Sequence, residues 1–244
     1  TLGMWKPTIG SATEAAMLQL AQTLHKVEFG TPSFEVDEID KFIATKEEMI
    51  NNLYGSYDNG NWATKAIKSE TTQSQVTGVA PNFFSFGTYE ALMLNDSIAD
   101  VFRDKLQSGL ARRSFFYHED SDRLPVVITA QERFEMNKKS KGMRESASVT
   151  AKYLLDLVKP ENEGKVLEFE DDAFMRYLEF RSYSEGMGNV VKDPIMMAEY
   201  NGRHFKTAKL AGMYAFLDGR DKINVSDVEY AISIAEFSTS SLTR

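Results

Sequence analysis

The sequence contains no cysteine, which excludes disulfide bonds and thiolate metal sites. Its three histidines, His25, His118 and His204, are far apart in the chain, so we do not expect a histidine-based zinc site. No apolar run approaches the roughly 18 residues that suggest a membrane-spanning helix, and residues 1–7 lack the apolar core of a signal peptide. We therefore expect a cytoplasmic protein without membrane contact.

A chain of 244 residues can form one large domain or two modest ones. Its net charge of −8 argues against a surface that binds nucleic acid everywhere, but a local basic groove is compatible with it. One part of the chain is rich in basic residues. These are Arg103, Lys105, Arg112, Arg113, Arg123, Arg133, Lys138, Lys139, Lys141 and Arg144.

An acidic pair follows the first predicted strand. Residues 33–37 read as a short strand, and Asp37 and Glu38 stand where it passes into a helix. An Asp-Glu pair at a strand end is typical of sites in which one carboxylate lies near Mg²⁺ and the other orients an attacking water. Acidic residues also favour the positive end of the helix dipole, so a purely structural role remains open.

Two further segments suggest phosphate chemistry. The apolar run 83–86 predicts a buried strand, and Thr88 follows it at the edge where open α/β sheets bind ligands. Arg112 and Arg113 precede an aromatic stretch that reads as another strand, and a planar guanidinium suits phosphate oxygens. Surface ion pairs are the alternative for both arginines.

The turn-rich residues 54–64 include Trp62, and Lys65 and Lys68 follow them. Positive charge within reach of a backbone phosphate is sufficient for DNA contact, so Lys65 and Lys68 are candidates for DNA binding. The aromatic Trp62 beside them is the third candidate. The alternative is an exposed loop whose Tyr57 and Trp62 pack back onto the domain. Residues 151–244 read as mostly helical, with Ser226 as an expected N-cap of the last helix.

Taken in order, five pieces resemble the helicase-type ATPase module of phage and plasmid primase–helicases, a P-loop protein of the AAA+ or superfamily 3 kind. The pieces are residues 10–15, 36–39, 84–88, 109–115 and, towards the C-terminus, 206–212 with 223–232. The resemblance implies an α/β fold. Residues 1–120 would form part of a P-loop core with a mostly parallel sheet, 121–150 a junction, and 151–244 a helical lid.

The resemblance also implies roles for individual residues and for ligands. Asp37 would help to position Mg²⁺ through water, Glu38 would activate the attacking water, and Thr88 would sense the γ-phosphate of ATP. Arg112 or Arg113 would reach phosphate within one subunit or across the interface of a hexameric ring that encloses single-stranded DNA.

The helical lid would supply a further cationic residue. Arg203, Lys206 or Lys209 would contact the nucleotide from it, and the sequence does not select among the three.

The sequence departs from this family in two respects. It has no Gly-x-x-x-x-Gly-Lys-[Ser/Thr] loop, the segment that cradles phosphates, and Glu35 interrupts a strand that is otherwise apolar. We therefore expect the loop to lie upstream of Thr1 and the 244-residue chain to be inactive alone. The alternatives are a non-catalytic DNA-binding or assembly module that uses residues 54–68 and 103–144, and an AAA+ loader or packaging motor.

Overall fold

A computed structural model describes residues 14–27, 31–45, 47–62, 76–118, 128–157, 159–162 and 164–243. These residues are mostly helical, and their sheets are two parallel pairs of short strands. The expected α/β fold with a substantial parallel sheet is therefore wrong. The apolar residues outside the four short strands recur mainly at helical spacing, and the aromatic stretch after Arg113 is extended without pairing to a strand.

The described residues divide into two compact units. The first comprises the residues up to Ser114 together with Glu185–Gly202, and the second comprises Phe115–Ser184 and Arg203 onwards.

The first part of the chain alternates short strands and helices. Its elements are α1 (Glu14–Val27), β1 (Ser33–Val36), α2 (Ile39–Thr45), α3 (Glu47–Asn59), β2 (Asn82–Ser85), α4 (Tyr89–Met93), α5 (Asp96–Lys105) and α6 (Ala111–Arg113). A kinked turn, Leu106–Leu110, in which the backbone of Gly109 is not helical, joins α5 to α6. α4 and α5 are separate helices, and Asn95 is the N-cap residue of α5.

The remainder of the chain is built from long helices. Its elements are α7 (Ala130–Leu157), β3 (Glu168–Phe169), α8 (Asp171–Val190), α9 (Pro194–Leu217), β4 (Lys222–Ile223) and α10 (Val225–Leu242). α7 includes residues 130–150 of the segment 121–150, for which the resemblance implied a junction.

The core of the first unit forms on one face of the β1–β2 sheet. Phe34 and Val36 are buried on β1, and the register places them beside Phe83 and Ser85 of β2. Phe83 continues this apolar layer, because its ring lies 5.7 Å from that of Phe42 on α2. On the opposite face of the sheet, Phe84 is exposed to solvent and Glu35 is partly exposed.

The second unit has its own core, in which small residues allow helices to approach one another closely. The buried residues of this core are Ala173, Phe180, Ala211, Ala215, Ile223, Val228, Ala231, Ile232 and Ala235. The final helix begins at Asn224, whose side chain accepts from the backbone N–H of Asp227 while the Asp227 carboxylate accepts from that of Asn224. This reciprocal capping box makes Asn224, rather than the expected Ser226, the N-cap.

Candidate functional site

The parallel pairing of β1 and β2 brings the acidic pair and Thr88 to the same edge of the sheet. The amide of Phe86 donates to the carbonyl of Val36 over 2.9 Å, and the amide of Ile39 donates to the carbonyl of Phe86 over 2.9 Å. Asp37 and Glu38 lie between these two bonds in the segment after β1. Thr88 follows Phe86 by two residues in the segment after β2.

Gly87 allows the two strand ends to approach. A Cβ atom at this position would lie 2.6 Å from Cγ2 of Ile39, which is closer than side-chain atoms normally approach. A larger residue at position 87 would therefore push α2 away from the end of β2. The narrow spacing at this edge depends on a residue without a side chain.

Glu38 has a left-handed backbone conformation with φ of 58°, which is uncommon for a residue with a side chain. Its carboxylate accepts a 2.6 Å hydrogen bond from Nζ of Lys41, and both side chains are well exposed. The hydrogen bond and the charge of Glu38 raise the pKa of Lys41. Strained backbone of this kind occurs often at functional sites and costs of order 1–3 kcal/mol.

Thr88 is exposed and is the N-cap of α4, because its Oγ1 accepts from the amide of Ala91 over 3.3 Å. The segments that follow β1 and β2 thus leave the sheet edge with different backbone conformations. After β1 the chain passes through the left-handed Glu38, and after β2 it passes through an extended cap residue. The edge therefore presents two carboxylates and one hydroxyl.

The two candidate arginines have different environments. Arg113 is largely buried and binds both carboxylate oxygens of Asp58, with Nε–Oδ1 and Nη2–Oδ2 distances of 3.3 and 2.5 Å. Its guanidinium also lies 5.0 Å from the ring centroid of Tyr54. Arg112 is exposed. Of the two, Arg112 is the one whose side chain solvent and partners can reach.

Two of the three cationic candidates of the C-terminal part are buried in the second unit. Arg203 is 2% exposed and donates to Glu236 over 3.1 Å and to Thr239 over 2.6 Å. Lys206 is also buried, and its Nζ lies 5.1 Å from the ring centroid of Phe115. In this structure both cations join helices to neighbouring elements. Lys209 lies one turn further along α9 and is exposed.

The residues predicted to contact DNA are only partly described. Trp62 is buried, with its ring edge-on to Phe34 and its Nε1 donating to the carbonyl of Val79 over 2.7 Å. This arrangement agrees with the alternative that Trp62 packs back onto the domain. Lys65 and Lys68 lie outside the described residues.

A magnesium ion would find only part of its coordination shell at the strand edge. In the part of the chain that the structure describes, no three acidic or histidine side chains form a group able to hold a metal. Mg²⁺ commonly binds through one or two carboxylates, several waters and the phosphates of a nucleotide. Asp37 is exposed, so its carboxylate is accessible to a water of such a shell.

Sequence reasoning missed the partners of its own candidates. Asp58 and Tyr54, which hold Arg113, lie on α3, and Glu236 and Thr239, which hold Arg203, lie on α10. No local pattern links residues so distant in the chain. The one available signal was Asp58 within a turn-rich stretch, where a carboxylate is common for other reasons.

Comparison with known proteins gives no family or relative for this chain, since no family model and no curated protein matches it. Among the described residues, no helix is both long enough and apolar enough to cross a membrane.

Proposed function

We propose that this chain carries the acidic part of a magnesium–ATP site in a replication protein that acts on DNA. The observation that carries the proposal is the placement of Asp37, Glu38 and Thr88 at one edge of the parallel β1–β2 pair. The proposal concerns this edge and does not require a P-loop core, which the observed fold contradicts. It follows the sequence's resemblance to primase–helicase ATPases and the order of its motifs.

Each residue has a chemical task in this proposal. Asp37 holds a water of the metal shell, Glu38 accepts a proton from the attacking water, and the Thr88 hydroxyl donates to a phosphate oxygen. ATP and Mg²⁺ supply the phosphoryl group and the positive charge that stabilises its transfer. The chain contains no glycine-rich phosphate loop, so the proposal requires another polypeptide segment to cradle the phosphates.

Arg112 is the better candidate for the arginine that reaches phosphate. Arg113 is engaged by Asp58 and Tyr54, and moving it would break a bidentate ion pair. Arg112 is its exposed neighbour and would act towards a second subunit of an oligomeric ring. Under this proposal Arg112→Ala lowers turnover of the assembled protein with little effect on the stability of the single chain.

Manganese can report on the proposed site because it replaces magnesium and broadens nearby NMR signals. We expect Mn²⁺ and ATP together to broaden the backbone amide signals of Asp37, Glu38 and Thr88, and Mn²⁺ alone to have a smaller effect. Asp37→Asn should abolish the localised broadening. Asp100→Asn, which changes an exposed carboxylate on α5, is the matched control and should leave it intact.

Two results would decide against the proposal. One is broadening that is spread over the acidic surface and is unchanged in Asp37→Asn. The other is nucleotide binding that persists unchanged when Asp37, Glu38 and Thr88 are all substituted. Robust ATP turnover by the wild-type chain that disappears in Glu38→Gln would support the site and show that the phosphate-binding groups lie within these 244 residues.

A second candidate function is binding of single-stranded DNA by α7 without catalysis. The observation that favours it is the exposure of this helix, in which Arg133, Lys138 and Lys139 all face solvent. Lys138 is 3.6 Å from Glu135 and lies over the ring of Phe134 at 4.6 Å. A cation beside an exposed aromatic ring suits contact with both a phosphate and a base.

Salt dependence tests the second function. Each phosphate contact contributes about −0.7 to the slope of log K against log salt for a single strand. Replacing Arg133, Lys138 and Lys139 with alanine should therefore weaken binding and reduce the slope by about 2. The control is Lys222→Ala, an exposed lysine on β4. An equal loss in the control would show that binding depends only on overall charge.

A further inference from the structure

The outer edge of β2 has main-chain groups that no other described strand uses. Asn82 and Phe86 donate their amides to β1, to the carbonyls of Pro32 and Val36. Alternate residues of a strand direct their amides to opposite edges, so the amides of Phe83 and Ser85 point away from β1. Within the described residues, β2 pairs with β1 alone.

The outer face of the same strand is apolar and open. Phe84 and Phe86 are 60% and 57% exposed, and Tyr89 is 46% exposed just beyond them. Parallel sheets are normally buried on both faces, and proteins usually protect an exposed strand edge with a charge, a proline or a bulge. Residues 82–86 contain no charge and no proline.

The charges around this apolar strip are mainly negative. Glu35 is paired in register with Phe84, and Asp37, Glu38 and Glu90 lie at the strand ends. Lys41 is a neighbouring cation and is engaged by Glu38. A polyanion such as DNA is therefore a poor match for this strip, and a segment that carries positive charge is a good one.

We propose that the outer edge of β2 binds an extended, apolar and basic polypeptide segment that adds a strand to the β1–β2 sheet. The amide and carbonyl groups of Phe83 and Ser85 form the new ladder, and Phe84 and Phe86 are covered by apolar side chains of the added strand. Basic side chains at the end of that strand meet Asp37, Glu38 and Glu90, which follow the C-terminal ends of β1 and β2. The proposal does not depend on nucleotide binding.

A short acetylated peptide with valine or isoleucine at its central positions and lysine or arginine at both ends is the probe. In the chain alone we expect rapid hydrogen exchange of the Phe83 and Ser85 amides and slow exchange of the Phe84 and Phe86 amides. Saturating peptide should slow exchange at Phe83 and Ser85 selectively. A peptide of the same pattern with glutamate as its charged residue should bind at least about tenfold more weakly, because it meets like charges.

Substitutions separate ladder formation from simple hydrophobic contact. Ser85→Pro removes an outward amide that β1 does not use, so the fold should persist while peptide affinity falls by about tenfold or more. Phe84→Ala should weaken binding by a similar factor through lost apolar contact. The control is Phe134→Ala, since Phe134 on α7 is 54% exposed and is remote from this strand in sequence.

Several outcomes would overturn the proposal. Slow exchange of the Phe83 and Ser85 amides in the dilute, peptide-free chain would mean that the edge is already covered. Equal binding of the basic and acidic peptides, or unchanged affinity in Ser85→Pro, would exclude charge-guided strand addition. Protection of the same amides by a single-stranded oligonucleotide, but not by the peptide, would assign the surface to nucleic acid.

Discussion

Arg113 and Asp58 form a two-point ion pair that joins α6 to α3 across 55 positions of the chain. The guanidinium also donates to the carbonyl of Gly109 over 3.3 Å, and a Cβ at Gly109 would lie 2.3 Å from Nη1 of Arg113. Gly109 has φ of 155°, a conformation that L side chains rarely adopt. A glycine therefore suits this position of the kink between α5 and α6, because the Arg113 side chain folds back over it.

Arg113→Lys should lower the free energy of unfolding by about 1–3 kcal/mol, because lysine cannot form the bidentate bond or cover the Tyr54 ring in the same way. This range allows for the partial exposure of Asp58. Urea denaturation measures the effect. Arg112→Lys, a change of the same kind at the exposed neighbour, should stay within about 0.5 kcal/mol. Equal effects of the two substitutions would contradict the structural role of Arg113.

Gly60→Ala should be among the most destabilising glycine substitutions in the first unit. Gly60 has φ of 65°, and a Cβ there would lie 2.7 Å from the backbone nitrogen of Val79. Backbone atoms cannot move aside as a flexible side chain can, so we expect a loss of roughly 3 kcal/mol or more in the free energy of unfolding.

Gly164→Ala is the control for Gly60→Ala. Gly164 has φ of 70°, but a Cβ atom there would have no neighbouring atom within 4 Å, so only the backbone cost of about 1–2 kcal/mol applies. Thermal or urea unfolding of the two variants compares them directly. A loss in Gly60→Ala no larger than that in Gly164→Ala would show that the contact with Val79 relaxes.

Asp227 should make the stability of the second unit depend on acid pH. Burial opposes ionisation of this carboxyl, but hydrogen bonds from Arg220 and from the Asn224 amide outweigh it and lower its pKa. Arg220 donates to both oxygens, with Nη1–Oδ2 and Nη2–Oδ1 distances of 2.7 and 2.6 Å. Because the pKa of Asp227 is lowered in the folded state, its ionised carboxylate stabilises the fold at pH values above the unfolded-state pKa of about 3.9. This stabilisation is lost as the pH falls through the folded-state pKa.

The urea midpoint of the wild-type chain, measured between neutral pH and about pH 2, should therefore fall more steeply below about pH 4 than that of Asp227→Asn. The variant lacks the titrating group and should already be destabilised at neutral pH. Asp218→Asn is a useful comparison, because Asp218 is 68% exposed and binds the same arginine over 2.9 Å. Parallel pH profiles of Asp227→Asn and the wild type would refute this linkage.

Glu38→Gly separates backbone strain from carboxylate chemistry. Glycine adopts the left-handed conformation of position 38 without steric cost, so the free energy of unfolding should stay equal or rise by up to about 1 kcal/mol. The proposed water-activating carboxylate is lost at the same time. Glu38→Gln keeps the strain and removes only the charge.

Both Glu38 variants should abolish ATP turnover in an assembled, active protein, whereas only Glu38→Gly should gain stability. Chemical denaturation and a phosphate-release assay measure the two properties. Turnover retained in Glu38→Gln would exclude Glu38 as the base. A marked loss of stability in Glu38→Gly would mean that the Lys41 contact matters more than the strain.

The sequence by itself determined the local features of this protein. It predicted the positions of β1 and β2 within about a residue and the helical character of the C-terminal part, because these depend on periodicity and on nearby turn signals. It placed Asp37 and Glu38 after one strand and Thr88 after another, and these two strand ends lie at one edge because β1 and β2 pair in parallel.

Tertiary structure decided the roles of the charged residues and the size of the sheet. Arg113 and Arg203 read as phosphate ligands in the sequence, yet in the fold each is held by a partner from another helix. The sequence could not predict these pairings, since they depend on which helices pack together over long separations. The expected large parallel sheet failed for the same reason, because an apolar run such as 115–117 becomes a strand only when another strand lies beside it.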